Sequence, residues 1–316
     1  MYTFGPIPSR RLGQSLGVNH IPPKICTYTC VYCQQGHSSR MQAERQSFYS
    51  PQELYQNVKK AVNQAQEAGQ TIDYISFVPD GEPTLDINLG EEIDLVKELG
   101  LPVAVITNSS LLNRQDVRQD LARADWVSVK IDAVDENTWR KIDRPLRSLS
   151  LPAILGGLQQ FAQAYEGQLH TETMLVRGLN DSPATLSATA AFIAGLQPRR
   201  AYLAIPTRPP ADRQVQPPDE KAISQAVQIF SQSLPDVEYL LGYEGNAFAS
   251  TGKVEEDLLS ITAVHPMRED AVEELLKQRG RDWKMVEQLL AENKLVEIEH
   301  DGHRFYMRKL YPGYKR

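Results

Sequence analysis

All three cysteines of this chain fall within eight residues, Cys26-Thr-Tyr-Thr-Cys30-Val-Tyr-Cys33. Gaps of three and two residues let one loop turn three thiolates toward one centre. A closed structural zinc site wants four ligands, so a nitrogen from His20 or His37 would have to complete it. A [4Fe–4S] cluster on three thiolates instead leaves one iron open to a small-molecule ligand. Three unligated thiols are the remaining alternative. An odd number of cysteines does not pair off, and a chain of 316 residues does not need disulfides to fold. The clustering therefore points to metal binding in a reducing cytoplasm.

Other polar residues stand where a parallel sheet would gather them. Asp80-Gly-Glu-Pro-Thr84 follows an apolar run; alone it reads equally well as a turn, since each residue type favours turns. Glu82 could accept hydrogen bonds from an ammonium, and Gly81 would let the backbone approach closely. Asn108 and Ser109 could donate to a carboxylate, or serve only as a helix lead-in. Lys130 and Asp132 alternate with Val127, Val129 and Ile131, so their side chains share a face, either as a mutual pair or as ligand contacts. Arg10 and Arg11 are candidates for an anionic substrate, Arg144 and Arg147 for a ligand carboxylate or a substrate phosphate, and Thr207 and Arg208 for substrate contact, with solvated surface as the alternative for each.

The elements that must position these residues alternate along the chain. Helical periodicity marks Gln52–Ala68, between Ser50-Pro51 and Gly69, then Leu89–Leu99, Arg114–Ala122, Ala153–Tyr165, Pro183–Gly195 and Asp219–Ser233. Strands are expected at Leu16–His20, Ile72–Val78, Val103–Thr107, Trp126–Asp132, Thr171–Val176 and Ala201–Ile205. Such alternation means a parallel sheet wound by right-handed crossovers, and about six units fit an α/β fold of partial (β/α)6 TIM-like barrel type. Periodicity alone leaves a doubly wound open sheet in play. Five prolines between Pro206 and Pro218 describe a stiff loop.

The cysteine spacing, with Tyr32 before the last cysteine, resembles the signature of the radical S-adenosylmethionine (SAM) superfamily. Members ligate the open iron with the amino and carboxylate groups of SAM and cleave it reductively to a 5′-deoxyadenosyl radical. Asp80-Gly-Glu-Pro-Thr84 resembles the superfamily's GGEP motif, whose backbone and glutamate hold the methionine amino group. Ile106-Thr-Asn-Ser-Ser110 falls where members place polar SAM contacts. Val127–Asp132 resembles the segment contacting ribose and carboxylate, and Thr173–Arg177 the strand whose backbone lies near adenine. The resemblance, over residues 5–245, thus implies Cys26, Cys30 and Cys33 as cluster ligands. It implies Tyr32, Asp80, Gly81, Glu82, Pro83, Asn108, Ser109, Lys130, Asp132 and Met174 around SAM. An electron donor such as flavodoxin or ferredoxin is implied with them. Gly5–Gly13 and Pro206–Pro210 are similar to the wyosine-synthase-like branch. Wyosine enzymes carry a second cysteine-ligated cluster, for which this chain has no cysteines, so that specific activity is not carried over.

Composition sets further bounds. The chain is 41% hydrophobic and 23% charged, a globular mix that excludes wholesale disorder. Mean hydropathy is −0.41, and no apolar run approaches the ~20 residues that span a bilayer. The start, MYTFGPIPSRR, lacks the pattern of an export signal, so a cytoplasmic protein is expected. A net charge of −6 argues against a generic polyanion binder while allowing a local basic patch.

After Gly252 the pattern changes. Three short helices, Glu255–His265, Glu269–Gln278 and Asp282–Glu292, precede two strands around Asp301-Gly302 within Lys294–Lys309. Residues 251–316 are therefore expected to form a small winged-helix-like domain beside a barrel domain of residues 1–250. Arg304, Arg308, Lys309, Lys315 and Arg316 interleave with Phe305, Tyr306, Tyr311 and Tyr314, a pattern suited to phosphate neutralisation and base stacking, with a solvated terminal strand as the alternative. The expected activity is radical SAM modification of a macromolecule, with RNA favoured. The alternatives are a peptide or protein substrate, including glycyl-radical activation, and a cluster-based sensor without turnover.

Overall fold

The computed structural model describes residues 2–240, 254–264, 266–277, 280–300 and 302–309. Strands β1 (Thr3–Ser9) and β2 (Gly13–Val18) open the chain. The short β3 (Ile25–Cys26) and β4 (Arg40–Met41) follow, then α1 (Pro51–Glu67). The series continues with β5 (Tyr74–Phe77), α2 (Leu89–Lys97), β6 (Val103–Thr107), α3 (Gln115–Leu121) and β7 (Trp126–Lys130). Next come α4 (Glu136–Ile142), α5 (Leu151–Ala164), β8 (Gln168–Met174), α6 (Pro183–Leu196), β9 (Arg200–Ala204), α7 (Glu220–Ser233) and β10 (Val237–Leu240). Helix starts carry their signals: Asp135, Ser182 and Asp219 accept from the backbone N–H three residues on, at α4, α6 and α7.

The strand order β1-β2-β5-β6-β7-β8-β9-β10 decides the topology. From β2 onward every strand is added parallel to the same edge. A doubly wound sheet reverses direction midway; this one does not, so it curls into a half-barrel, its first and last strands unpaired with each other. Seven parallel strands stand where six were expected, because the four-residue β10 is too short to show periodicity. The antiparallel β1 was also unforeseen. Its Gly5, Pro6 and Pro8 read as loop, but prolines are tolerated on an edge strand.

Alternation assigns the two faces. Ile75, Phe77, Val103, Val105, Val127, Val129 and Leu203 pack under the helices in the main core. The opposite face carries Ser76, Ala104, Ser128, Lys130, His170, Glu172 and Tyr202. Low in the half-barrel, the His170 ring stacks between Trp126 and Tyr202, with centroids 4.7 and 5.7 Å away. That aromatic layer forms the floor beneath a charged layer one step further along the strands.

Helices α8 (Val254–Val264), α9 (Glu269–Lys277) and α10 (Lys284–Ala291) follow, with a sheet of β11 (Met267–Arg268), β13 (His303–Arg308) and β12 (Leu295–His300) in that spatial order. Leu258, Ile261, Leu275, Val286 and Tyr306 form a second core, which takes in Phe4 and Ile7 of β1. The helices and hairpin fall where the sequence places them; β11 was not foreseen. Helix ends expected at His265 and Gln278, the turn residue Asp301, the boundary at 250 and the tail Tyr311, Tyr314, Lys315 and Arg316 lie outside the described residues. Among the described residues, no helix is long and apolar enough to cross a membrane.

Candidate functional site

The cysteine loop leaves β3 at Cys26 and is tied down on several sides. Asp143 and Arg144 carbonyls accept from Thr29, the Ile142 carbonyl accepts from Val31 at 2.9 Å, and Leu146 N–H donates to Thr27. Helix α4, unforeseen because its seven residues show too little periodicity, delivers this 142–146 segment. From the sheet side, Asn108 Nδ2 donates to Thr27 Oγ1 at 2.8 Å and lies 3.4 Å from Cys26 Sγ. Cys26, Cys30 and Cys33 all line one cavity of about 310 Å³ at the C-terminal ends of the strands. Burial pushes the Cys26 thiol up to about 12, drives Cys30 well above its ordinary range and raises Cys33. Three such sulfurs ionise together only against a strongly cationic group.

Gly81 brings the second motif against this loop. It pairs with Ile25 in an isolated bridge, and Glu82 N–H donates to the Ile25 carbonyl at 3.1 Å. A Cβ at position 81 would lie 2.2 Å from that carbonyl oxygen, so only glycine permits the approach. Asp80 is 3% exposed and faces the cavity. Its Oδ2 is buried without a hydrogen-bond partner, and its Oδ1 lies 3.9 Å from Lys24 Nζ. Burial pushes this carboxyl up to about 6, against the opposing pull of Lys24.

Glu82 is differently occupied. Its carboxylate accepts from Thr84 N–H (3.1 Å), Thr84 Oγ1 (2.5 Å), Thr107 Oγ1 (2.6 Å) and Asn108 N–H (2.8 Å). These donors oppose the upward push of burial on its pKa. With four protein donors in place, Glu82 locks the ends of β5 and β6 together at the cavity wall.

Lys130 and Asp132 do not pair as a self-contained couple. Lys130 Nζ donates to Glu172 Oε1 at 2.7 Å, and Glu172 also accepts from Arg11. Burial opposes Lys130's charge, but the carboxylates of Glu172 and Asp132 outweigh it and raise its pKa. Burial likewise acts against the Glu172 carboxylate; Arg11 and Lys130 overcome it and hold the group down at about 2. Asp132 accepts from Tyr32 Oη and, at 2.7 Å, from Met174 N–H. Tyr32 Oη also lies 3.2 Å from Asp143 Oδ1, and Lys130 Nζ sits 4.9 Å from the Tyr32 ring centroid. Burial, and then the adjacent Asp132 carboxylate, push the Asp143 carboxyl well above its ordinary range.

Of the residues expected around SAM, Tyr32, Asp80, Gly81, Glu82, Asn108, Lys130 and Met174 line the cavity with the three cysteines. Pro83, Ser109 and Asp132 do not line it. Pro83 opens a 3-10 turn (Pro83–Leu85) and its carbonyl hydrogen-bonds His20 Nε2; Ser109 is buried with φ +70°; Asp132 acts through Tyr32 and Met174. Arg10, Arg11, Thr207 and Arg208 line the cavity as well, whereas Arg144 and Arg147 do not; Arg144 pairs with Asp212 at 2.8 Å. Lys24 and Glu172 were missed. Glu172 lay within an expected strand, on the alternation that puts Lys130 inside, and that pattern could have found it.

His20, expected as a fourth zinc ligand if zinc were bound, is fully buried and turned to the Pro83 carbonyl. Among the described residues, no group of three or more Cys, His, Asp or Glu is placed to hold a metal ion. Cysteines that share one cavity with an unpaired buried carboxylate oxygen fit a larger group that carries positive charge and leaves room beside it.

The comparisons agree with this geometry. The model of the Radical SAM superfamily matches residues 21–188, and the chain belongs to that superfamily. It is 43% identical over 309 residues to a UPF0026 protein of Methanocaldococcus jannaschii, covering 97% of this chain and 96% of that one. The solved radical SAM methyltransferase of Sphaerobacter thermophilus superposes with a TM-score of 0.54 at 20% identity, over 74% of this chain and 69% of that one. Streptococcus suis SuiB bound to S-adenosylmethionine gives 0.53 at 12% identity, over 74% and 53%. Such distant structural likeness defines the fold alone. This chain is therefore a radical SAM enzyme, and its superfamily works with a [4Fe–4S] cluster and SAM.

Proposed function

We propose that the chain reductively cleaves SAM at a cluster held by Cys26, Cys30 and Cys33 and uses the resulting radical to modify a macromolecule. One observation carries this reading: the three sulfurs, the Gly81 backbone and the unpaired Asp80 oxygen meet in one cavity. When bound, the cluster and SAM supply a one-electron source and a carbon-centred radical. The protein's own residues position and protect. Asn108 and the 142–146 backbone fix the cysteine loop; Glu82 holds two strand ends in register; Trp126, His170 and Tyr202 close the base against water. Arg10, Arg11 and Arg208 give the opening a positive rim for an anionic substrate.

We read residues 254–309 as a winged-helix-like domain, on their three helices and three-stranded sheet. A cleft of about 540 Å³ runs between Pro209, Pro210 and Arg213 of the proline loop and the β12/β13 hairpin, including Arg308 and Lys309. This continuity of the loop from cavity to cleft supports a long substrate, with RNA first. The stacking pattern expected from the sequence needs correction. Phe305 and Tyr306 are 2% and 1% exposed, packed in cores, and Arg304 pairs with Glu269 at 2.5 Å. Any RNA contact there rests on charge, not on those rings. A peptide is the second reading, favoured by Glu297 and Glu299 in the same cleft and by β12's place at the edge of its sheet.

Anaerobic reconstitution followed by SAM and dithionite tests the chemistry, with 5′-deoxyadenosine as the expected product and loss of the cluster's visible absorbance in Cys26→Ala. Stoichiometric zinc without iron or sulfide would overturn it. RNA retention that weakens steeply with salt supports the first substrate reading; salt-insensitive capture of a peptide replaces it with the second. A flavodoxin- or ferredoxin-class protein is the proposed physiological electron donor.

A further inference from the structure

Lys24 is a lysine in an unusual place. Its φ is +66°, a left-handed conformation that costs a lysine more than a glycine. The backbone is nevertheless held there: Lys24 N–H donates to the Asp80 carbonyl at 2.6 Å, and its carbonyl accepts from Ser39 and Arg40 N–H, each at 3.2 Å. The side chain is 6% exposed, and it lines the cavity together with Cys33 and Asp80. Its ammonium faces Asp80 Oδ1 at 3.9 Å, too far for a hydrogen bond but close enough for strong attraction at low dielectric. The other oxygen of Asp80 is buried without a hydrogen-bond partner. Lys24, Asp80 and Cys33 thus bring one cation, one anion and one sulfur to the wall of the same cavity.

We propose that Lys24 and Asp80 are a built-in charge pair that sets how readily the cluster held by Cys26, Cys30 and Cys33 accepts an electron. The inference rests on the cluster assignment above. Reduction adds one electron to the cluster and removes one from the donor, so the local charge becomes more negative by one. A buried cation beside a ligating sulfur favours that change, and a buried anion opposes it. The two charges stand 3.9 Å apart on the wall that Cys33 shares. Lys24 and Asp80 are thus positioning residues for the electron; they need not touch the reacting atoms.

The test is a redox titration of the full-length reconstituted protein without SAM, following the reduced cluster by electron paramagnetic resonance, with dithionite as reductant. At the potential that half-reduces the wild-type cluster, Lys24→Met is expected to lower the reduced-to-oxidised ratio about tenfold, equivalent to 59 mV for one electron. Asp80→Asn is expected to raise that ratio, and Lys24→Arg to restore the wild-type value. A merely structural role would move both charge-removing variants the same way. Shifts of one sign, or ratios within twofold of wild type in both, overturn the proposal. Should Lys24→Met assemble no cluster, the near-isosteric Asp80→Asn decides on its own. Wild-type protein without iron and sulfide overturns the cluster assignment itself, a result distinct from a loaded cluster whose potential ignores both residues.

Discussion

Replacing Gly81 by alanine should unseat the cysteine loop while leaving the barrel intact. The new Cβ would lie 2.2 Å from the Ile25 carbonyl oxygen and 2.8 Å from Ile21 Cδ1, both inside the 3.0 Å that real Cβ contacts respect. Ile21 is a flexible side chain and can turn away, but the carbonyl is backbone and must retreat by roughly 1 Å. That retreat breaks the 3.1 Å bond from Glu82 N–H to Ile25, and leaving a buried donor unmet costs about 1–3 kcal/mol. Since 1.4 kcal/mol is a factor of ten, the native loop position should fall in population by roughly 5- to 140-fold. Ile25 immediately precedes Cys26, so the sulfur moves with it. Iron and sulfide per chain after anaerobic reconstitution, read beside the melting temperature, is the assay: a marked loss of cluster with a modest fall in Tm is expected. Gly156→Ala is the control, because nothing lies within 4 Å of its Cβ and an alanine in helix α5 is favourable. Full cluster content and wild-type 5′-deoxyadenosine yield in Gly81→Ala would refute the reasoning.

Other perturbations probe the frame and the charged layer. Glu92 is fully buried, neither carboxyl oxygen has a hydrogen-bond partner, and burial, with Asp86 and Glu91 nearby, pushes it up to about 9. The unfolded chain ionises this group from about pH 4.5 upward while the folded chain resists, so its contribution turns against folding between there and about pH 9. Glu92→Gln should therefore gain on the order of 3 kcal/mol at pH 8 and little at pH 4 by chemical denaturation, and a pH-independent difference would contradict this. Arg45, 4% exposed at its side chain, reaches Asp116, Asp120 and the carbonyls of Thr84 and Asp86. Arg45→Ala should cost about 3 kcal/mol and lower Tm by several degrees, with an unchanged melt counting against the clamp. Arg11→Ala removes one of the three cations, with Lys130 and Arg10, that hold Glu172 near 2. The stability that this depressed group supplies is present above about pH 4.5 and lost as pH falls through its folded value. The variant should lose it at higher pH than wild type in acid titration followed by fluorescence.

The cysteine spacing and the strand–helix alternation were legible because each is local: residues three and two apart in one loop, apolar positions repeating within one element. Elements without enough local repeats escaped. Helix α4 has two buried apolar residues in seven, β10 has four residues in all, and β1 disguises an edge strand with two prolines. The partners of site residues escaped for a different reason. That Lys130 meets Glu172 follows from the register of β7 against β8, which sets those two residues side by side although 42 positions separate them in the chain. Alternation puts Lys130 and Asp132 on one face, which left open a mutual pair or ligand contacts. Asp132 stands beyond the end of β7, however, where the backbone turns its carboxylate to Tyr32 and Met174 instead. Glu82 marks the same limit. Its place in the motif identifies the right loop, but its role depends on Thr107 and Asn108, brought from the end of β6. Four donors around one carboxylate make Glu82 the brace that keeps Gly81 and Asp80 at the cavity wall, a role that the motif alone does not show because two of its partners come from another strand end.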